Sequence, residues 1–175
     1  YLGYSVARAG DVNGDGYGDV LVGGVALDGY YATTSKVQLY LGGASGVAAT
    51  PAWEKEQTDD SQPLGYDIAT AGDVNGDGFA DVLVGCRQSD LGDDNAGTAW
   101  LYFGSLQGLA TTAAWTVDGE AALDFLGSVA TAGDVDGDGF DDLRVGAPGC
   151  DNGQGDDGAL YCYLGGRDGL ETASA

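Results

Sequence analysis

Internal repetition constrains this chain more than any other feature. Leu2–Gly23 reads LGYSVARAGDVNGDGYGDVLVG and Leu64–Gly85 reads LGYDIATAGDVNGDGFADVLVG, with agreement at 17 of 22 positions. Leu126–Gly146, LGSVATAGDVDGDGFDDLRVG, is a third copy one residue shorter. The leading aspartates Asp11, Asp73 and Asp134 stand 62 and 61 residues apart. Beyond these segments VQLYLGG (Val37–Gly43), AWLYFGS (Ala99–Ser105) and LYCYLGG (Leu160–Gly166) also align. A tryptophan-bearing segment follows in two of the units, at Ala52–Gln57 and Ala113–Val117.

Each unit reads as short strands. LGYSVA alternates with a period near two, DVLVG is short and β-branched, and VQLYLG alternates again. Gly, Asp and Asn clusters separate them, and no segment sustains a 3.6-residue period. Four short strands per repeat of about 61 residues is the pattern of a propeller blade. The expected fold class is therefore all-β, with three β-propeller blades whose strands are lettered A to D outward from the hub. Blade 1 is expected at 1–62, blade 2 at 63–124, and blade 3 at 125–175 with strands A to C only. A β-solenoid is the competing architecture, but its rungs are usually much shorter.

The centre of the repeat is D-x-N-x-D-G-x-x-D. It comprises Asp11, Asn13, Asp15, Tyr17 and Asp19; then Asp73, Asn75, Asp77, Phe79 and Asp81; then Asp134, Asp136, Asp138, Phe140 and Asp142. Ca²⁺ takes six to eight oxygens at about 2.3–2.6 Å. Side chains at positions 1, 3 and 5 of a curled loop can converge on one ion, and glycine at 6 permits the sharp turn. Position 7 offers a main-chain carbonyl, so its side chain need not be polar. Position 9 is expected to close the shell. An EF-hand would need glutamate at position 12, where this chain has Val22, Val84 and Val145. A strand, not a helix, follows each loop, which places the loops in the A–B hairpins. Ordinary Asn-Gly and Asp-Gly turn chemistry would account for one such loop. Three copies holding ten carboxylates would repel strongly without a cation. Three Ca²⁺ ions, one per repeat, are expected.

Composition agrees. The chain has 28 acidic and 6 basic residues and a formal charge of −22, which three Ca²⁺ would bring to −16. Such a surface repels phosphate backbones and anionic lipid, so neither nucleic acid nor membrane insertion is expected. No histidine is present, which excludes a His-based metal site, triad or general base. The acidic pairs identified are committed to calcium and no nucleophile–base pair stands out, so no enzymatic activity is expected. Cys86, Cys150 and Cys162 leave two readings open, a Cys150–Cys162 disulfide or free thiols.

The elements Leu126–Gly127, Asp134–Asp142 and Val145–Pro148 resemble the FG-GAP repeat of integrin α-subunit propellers and their bacterial relatives. The GAP element is intact only in the third copy, with VGGV and VGCR in the others. The resemblance implies a propeller in which ions rigidify one face while partners dock elsewhere.

Blades bury both faces against neighbours, so three alone expose apolar surface. Either further blades in a longer chain or association of copies is expected to cover it, with the edge at Ala159–Leu164 left open. The face opposite the calcium loops carries the B–C loops, expected at Val25–Thr34, Arg87–Ala96 and Pro148–Asp157. Tyr30 and Tyr31 in the first are candidate contact residues. Asp90, Asp93 and Asp94 in the second, and Asp151, Asp156 and Asp157 in the third, could hold a further cation or meet a basic partner. The functional expectation is an extracellular adhesion or protein-interaction module with structural calcium. The alternative is a lectin whose glycan stacks on Trp100 or Tyr102, although both lie in strand C, where core packing is the safer reading.

Overall fold

Apolar runs bounded by glycine and aspartate become short strands in the computed structural model, which describes residues 2–28, 31–57, 64–89, 94–151 and 157–170. Among the described residues there is no helix, and hence none long and apolar enough to cross a membrane. In chain order the strands are β1 (Leu2–Gly10), β2 (Asp19–Asp28), β3 (Tyr31–Tyr40), β4 (Trp53–Gln57), β5 (Asp67–Gly72) and β6 (Asp81–Cys86). They continue with β7 (Thr98–Tyr102), β8 (Trp115–Asp118), β9 (Ser128–Gly133), β10 (Asp142–Ala147) and β11 (Ala159–Tyr163).

They form three antiparallel meanders, β1-β2-β3-β4, β5-β6-β7-β8 and β9-β10-β11. These are propeller blades, four-stranded, four-stranded and three-stranded, and the sheets do not close into a ring. The first strands stand side by side, β5 against both β1 and β9, as strands at a hub do. β11 pairs with β10 on one side, and among the described residues nothing pairs with its other side.

The cores lie between blades. One joins Leu21, Val37 and Leu39 of blade 1 to Ile68, Val82 and Val84 of blade 2. The other joins Leu83, Ala99 and Leu101 of blade 2 to Val129, Leu143 and Val145 of blade 3. Successive side chains of a strand point to opposite faces. In β6, therefore, Val82 and Val84 face one neighbour and Leu83 the other, and every residue of the strand is buried. Strand D of blades 1 and 2 also clasps the next blade. Trp53 meets Tyr102 edge to face with centroids 5.2 Å apart, and Trp115 meets Tyr163 likewise at 4.7 Å. The Trp53 indole donates to the Ala110 carbonyl at 3.0 Å.

One expectation is corrected, and one of two open readings is chosen. Val25–Thr34 is not a loop: β2 and β3 pair as far as Asp28 and Tyr31, so this is an extended hairpin, with Tyr30 outside the described residues. No disulfide joins Cys86, Cys150 and Cys162, of which Cys86 and Cys150 are buried and Cys162 is half-buried. The Cys150 Sγ lies 3.7 Å from the Tyr161 hydroxyl, and Cys162 sits opposite Arg144 in the sheet.

Candidate metal centres in the A–B loops

A bulge sets up each loop. The pairing of the first two strands slips just before Gly10, Gly72 and Gly133, which have φ of +90°, +84° and +71°. Such bulges take glycine because a Cβ disfavours positive φ. In blades 2 and 3 the slip is braced by Thr70 and Thr131, whose hydroxyls accept from the Gly72 and Gly133 amides at 3.2 and 3.0 Å. The chain then turns out of the sheet and presents the first aspartate.

That aspartate organises the curl. The Asp11 Oδ1 accepts from the Asp15 amide at 3.0 Å and its Oδ2 from the Gly16 amide at 2.8 Å. Asp73 does the same with Asp77 and Gly78 at 3.0 and 2.8 Å. Asp134 repeats it with Asp138 and Gly139 at 3.1 and 3.0 Å, and its Oδ1 also accepts from the Gly137 amide at 2.7 Å. Position 3 accepts from the position 5 amide, and position 5 from the position 7 amide, in every copy. The carboxylates at positions 1 and 5 and the oxygen at position 3 are thus fixed by their own backbone.

In blade 3 one oxygen each from Asp134, Asp136 and Asp138 lie within 4.8 Å of one another, all exposed. Carboxylate oxygens held at that spacing suit a hard cation. Among the described residues no ion pair involves them, and the Asp136 carboxyl is raised above its ordinary range. Partial desolvation in the loop comes first, with the carboxylates of Asp138, Asp142 and Asp134 adding to it. Blades 1 and 2 differ at position 3. The Asn13 amide donates to Asp15 at 2.9 Å and the Asn75 amide to Asp77 at 3.0 Å.

Position 9 does more than the sequence suggested. Asp19, Asp81 and Asp142 are buried, and each carboxylate accepts two main-chain hydrogens. One comes from position 2 of its own loop: Val12 at 2.9 Å, Val74 at 3.0 Å and Val135 at 2.6 Å. The other comes from just past strand C: Gly42 at 2.8 Å, Gly104 at 2.9 Å and Gly165 at 2.8 Å. The residue therefore pegs the acidic loop to the C–D turn. An ionised carboxylate offers about four lone-pair sites, so two remain for a cation. Burial raises the Asp19 carboxyl and pushes Asp81 up to about 7, against the lowering effect of the hydrogen bonds, with the nearby loop carboxylates raising it further.

Position 7 has a role the sequence reading did not assign. The Phe79 ring covers Gly14 of the preceding loop and the Phe140 ring covers Gly76, both glycines having positive φ. The aromatic at 7 is a contact between blades, and the recurrence of glycine at 4 with an aromatic at 7 was its sequence signal.

On the opposite face a cleft of about 560 Å³ opens between Tyr4, Tyr66, Asp67, Arg87, Phe125 and Pro148. Arg87 lies 3.6 Å from the Asp67 carboxylate at its wall. Of the acidic residues expected on this face, Asp94, Asp151 and Asp157 are exposed, whereas Asp90, Asp93 and Asp156 fall outside the described residues. Tyr102 is buried, with its hydroxyl pushed up to about 12, and Trp100 packs against the core. The buried Tyr102 ring presents no open stacking face, and Trp100 is half-buried.

The FG-GAP repeat profile matches residues 64–102 and 125–163. Among curated proteins the chain is 34% identical over 164 residues to integrin alpha-V of Gallus gallus, which takes in 86% of this chain. It is 30% identical to integrin alpha-4 and 31% identical to integrin alpha-5 of Xenopus laevis, over 84% and 86% of its length. The chain spans only 15%, 14% and 15% of those three relatives.

Proposed function

This chain carries FG-GAP repeats and is homologous to integrin alpha subunits over most of its length, and on that premise we propose that it is an extracellular, calcium-stabilised propeller scaffold for adhesion or protein–protein interaction. In this reading each repeat, 1–62, 63–124 and 125–175, holds one Ca²⁺ in its A–B hairpin. The ligands would be the side chains at positions 1, 3, 5 and 9 and the main-chain carbonyl at 7. The observation that carries it is the thrice-repeated curl, in which backbone amides hold the acidic side chains together and leave their charge uncompensated.

The ion's work is structural. It would neutralise carboxylates that otherwise repel, so its binding free energy becomes folding free energy of the hairpin. Because Asp19, Asp81 and Asp142 peg each loop to a C–D turn, order in the loop passes to the outer strands. Extracellular calcium modules bind Ca²⁺ at about 10⁻⁴–10⁻³ M, and an affinity in that range is expected of these loops. No catalytic step is part of this function.

A partner would dock away from the ions, on the face holding the cleft between Tyr66, Arg87 and Phe125. Aromatic rings beside an Arg–Asp pair give an apolar floor with a charged rim, which suits a protein surface.

Thermal melts in millimolar calcium and in excess EGTA test the proposal. Calcium is expected to raise the melting temperature by several degrees at saturation, with magnesium giving much less. Identical melts in calcium and EGTA would refute the structural role of the ion.

A further inference from the structure

The acidic loops are bonded to one another across the junctions between blades. Two routes join blade 1 to blade 2 and blade 2 to blade 3, and both pass through candidate ligands.

The first route runs through the buried aspartates at position 9. The Asp142 Oδ1 accepts from the Gly165 amide at 2.8 Å, and the adjoining Gly166 amide donates to the Val74 carbonyl at 2.9 Å. The Val74 amide donates in turn to the Asp81 Oδ2 at 3.0 Å, while the Asp81 Oδ1 accepts from Gly104 at 2.9 Å. Ser105, next in the chain, donates to the Val12 carbonyl at 3.0 Å, and the Val12 amide to the Asp19 Oδ2 at 2.9 Å. Hydrogen bonds and adjacent residues therefore connect Asp142 to Asp81 and Asp81 to Asp19 without a gap. The bonds to these carboxylates are buried, so loosening one leaves a polar group unsatisfied.

The second route runs through positions 7 and 8. The Phe79 ring covers Gly14, and the Phe140 ring covers Gly76. One residue on, the Ala80 amide donates to the Asp11 carbonyl at 3.0 Å and the Asp141 amide to the Asp73 carbonyl at 3.1 Å. Here the two junctions part. The Asp141 Oδ2 also accepts from the Asp73 amide at 2.8 Å, so Asp141 holds both main-chain groups of that candidate ligand. Alanine at position 80 offers no such oxygen.

Taking the loops as calcium sites, as proposed, we infer that the sites fill with positive cooperativity, most strongly between blades 2 and 3. The element with two states is the curl, ordered when its carboxylates are neutralised and loosened when they repel. Once loop 134–142 is ordered, Phe140, Asp141 and Asp142 hold Asp73, Val74 and Gly76 in place. Less ordering then remains for loop 73–81 when it binds. Loops without these bonds would show the opposite sign, because bound dications repel.

Calcium titration calorimetry on the full chain tests this, with circular dichroism confirming the fold of each variant. Asp11→Ala leaves the sites of blades 2 and 3, and adding Asp134→Ala or Asp73→Ala leaves one of them alone. The association constant for filling both sites of D11A should exceed the product of the two single-site constants by about fivefold or more. The pair in blades 1 and 2, isolated by Asp134→Ala, should give a smaller factor. In the D11A chain, Asp141→Ala should lower the factor. Asp141→Asn keeps an accepting oxygen without the charge and should preserve it. A factor of one or less in both pairs, with ions still bound, would overturn the inference and leave the calcium reading standing. So would an Asp141→Asn variant as damaging as Asp141→Ala. A wild-type chain that binds no calcium would remove both.

Discussion

Loops 73–81 and 134–142 share a backbone and differ in one group at position 3. In the blade 2 loop the Asn75 amide reaches Asp77 at 3.0 Å and shields part of its charge. In the blade 3 loop Asp136 brings a further carboxylate to the same place, beside Asp134 and Asp138. The first loop partly satisfies itself. The second holds three carboxylates side by side, a cluster that a cation or a proton relieves. The loops also differ in their neighbours, for Phe140 covers Gly76 while Gly137 is open.

The largest effect is expected from removing what both loops share. Asp81→Ala leaves the buried amides of Val74 and Gly104 without their acceptor, at about 1–3 kcal/mol each. Denaturant unfolding should show a loss of about 2–6 kcal/mol that calcium does not restore. A loss under 1 kcal/mol would mean that the peg is incidental.

Next, Gly76→Ala and Gly137→Ala separate packing from backbone strain. Both residues have positive φ, +71° and +81°, so both substitutions carry about 1 kcal/mol of strain. Only Gly76→Ala also meets the Phe140 ring, adding about 1–3 kcal/mol. Equal losses for the two variants would remove the interblade contact from the account.

Exchanging position 3 sharpens the comparison directly. Asn75→Asp should strengthen calcium binding by blade 2, and Asp136→Asn should weaken it in blade 3, each by roughly tenfold in a calcium titration, since charge count tunes such sites. Asn75→Asp should also lower the melting temperature in EGTA. The opposite order would break the argument.

A further expectation concerns pH. The folded pKa of Asp81 is about 7, above its ordinary value of 3.8, with burial as the chief cause. A raised carboxyl contributes stability that is full below the unfolded value and is lost as pH rises through the folded one. Calcium-free melts should therefore fall as pH climbs through about 7, and saturating calcium should flatten the decline. A calcium-free protein that gains stability over that window would contradict it.

What the sequence made legible is what lies within one repeat. The curl of Asp11–Asp19 needs particular side chains at fixed spacing, so type and position carried the meaning. Strand order followed from period-two runs between glycine clusters. What joins repeats was not legible. The contact of Phe79 with Gly14 and the clasp of Trp53 on Tyr102 link residues of different repeats, far apart in sequence. Local periodicity carries no information on such pairs, although their recurrence in each copy was a signal. The first B–C segment was misread because its turn-forming and strand-forming residues intermix, and only cross-strand pairing to Asp28 and Tyr31 shows its length.

Native mass spectrometry of the chain in calcium, after exchange into volatile buffer, tests the central claim most directly. Three Ca²⁺ ions per chain are predicted, with Asp134→Ala reducing the count to two. A chain that carries no calcium, or the same number of ions with and without Asp134, would contradict the account.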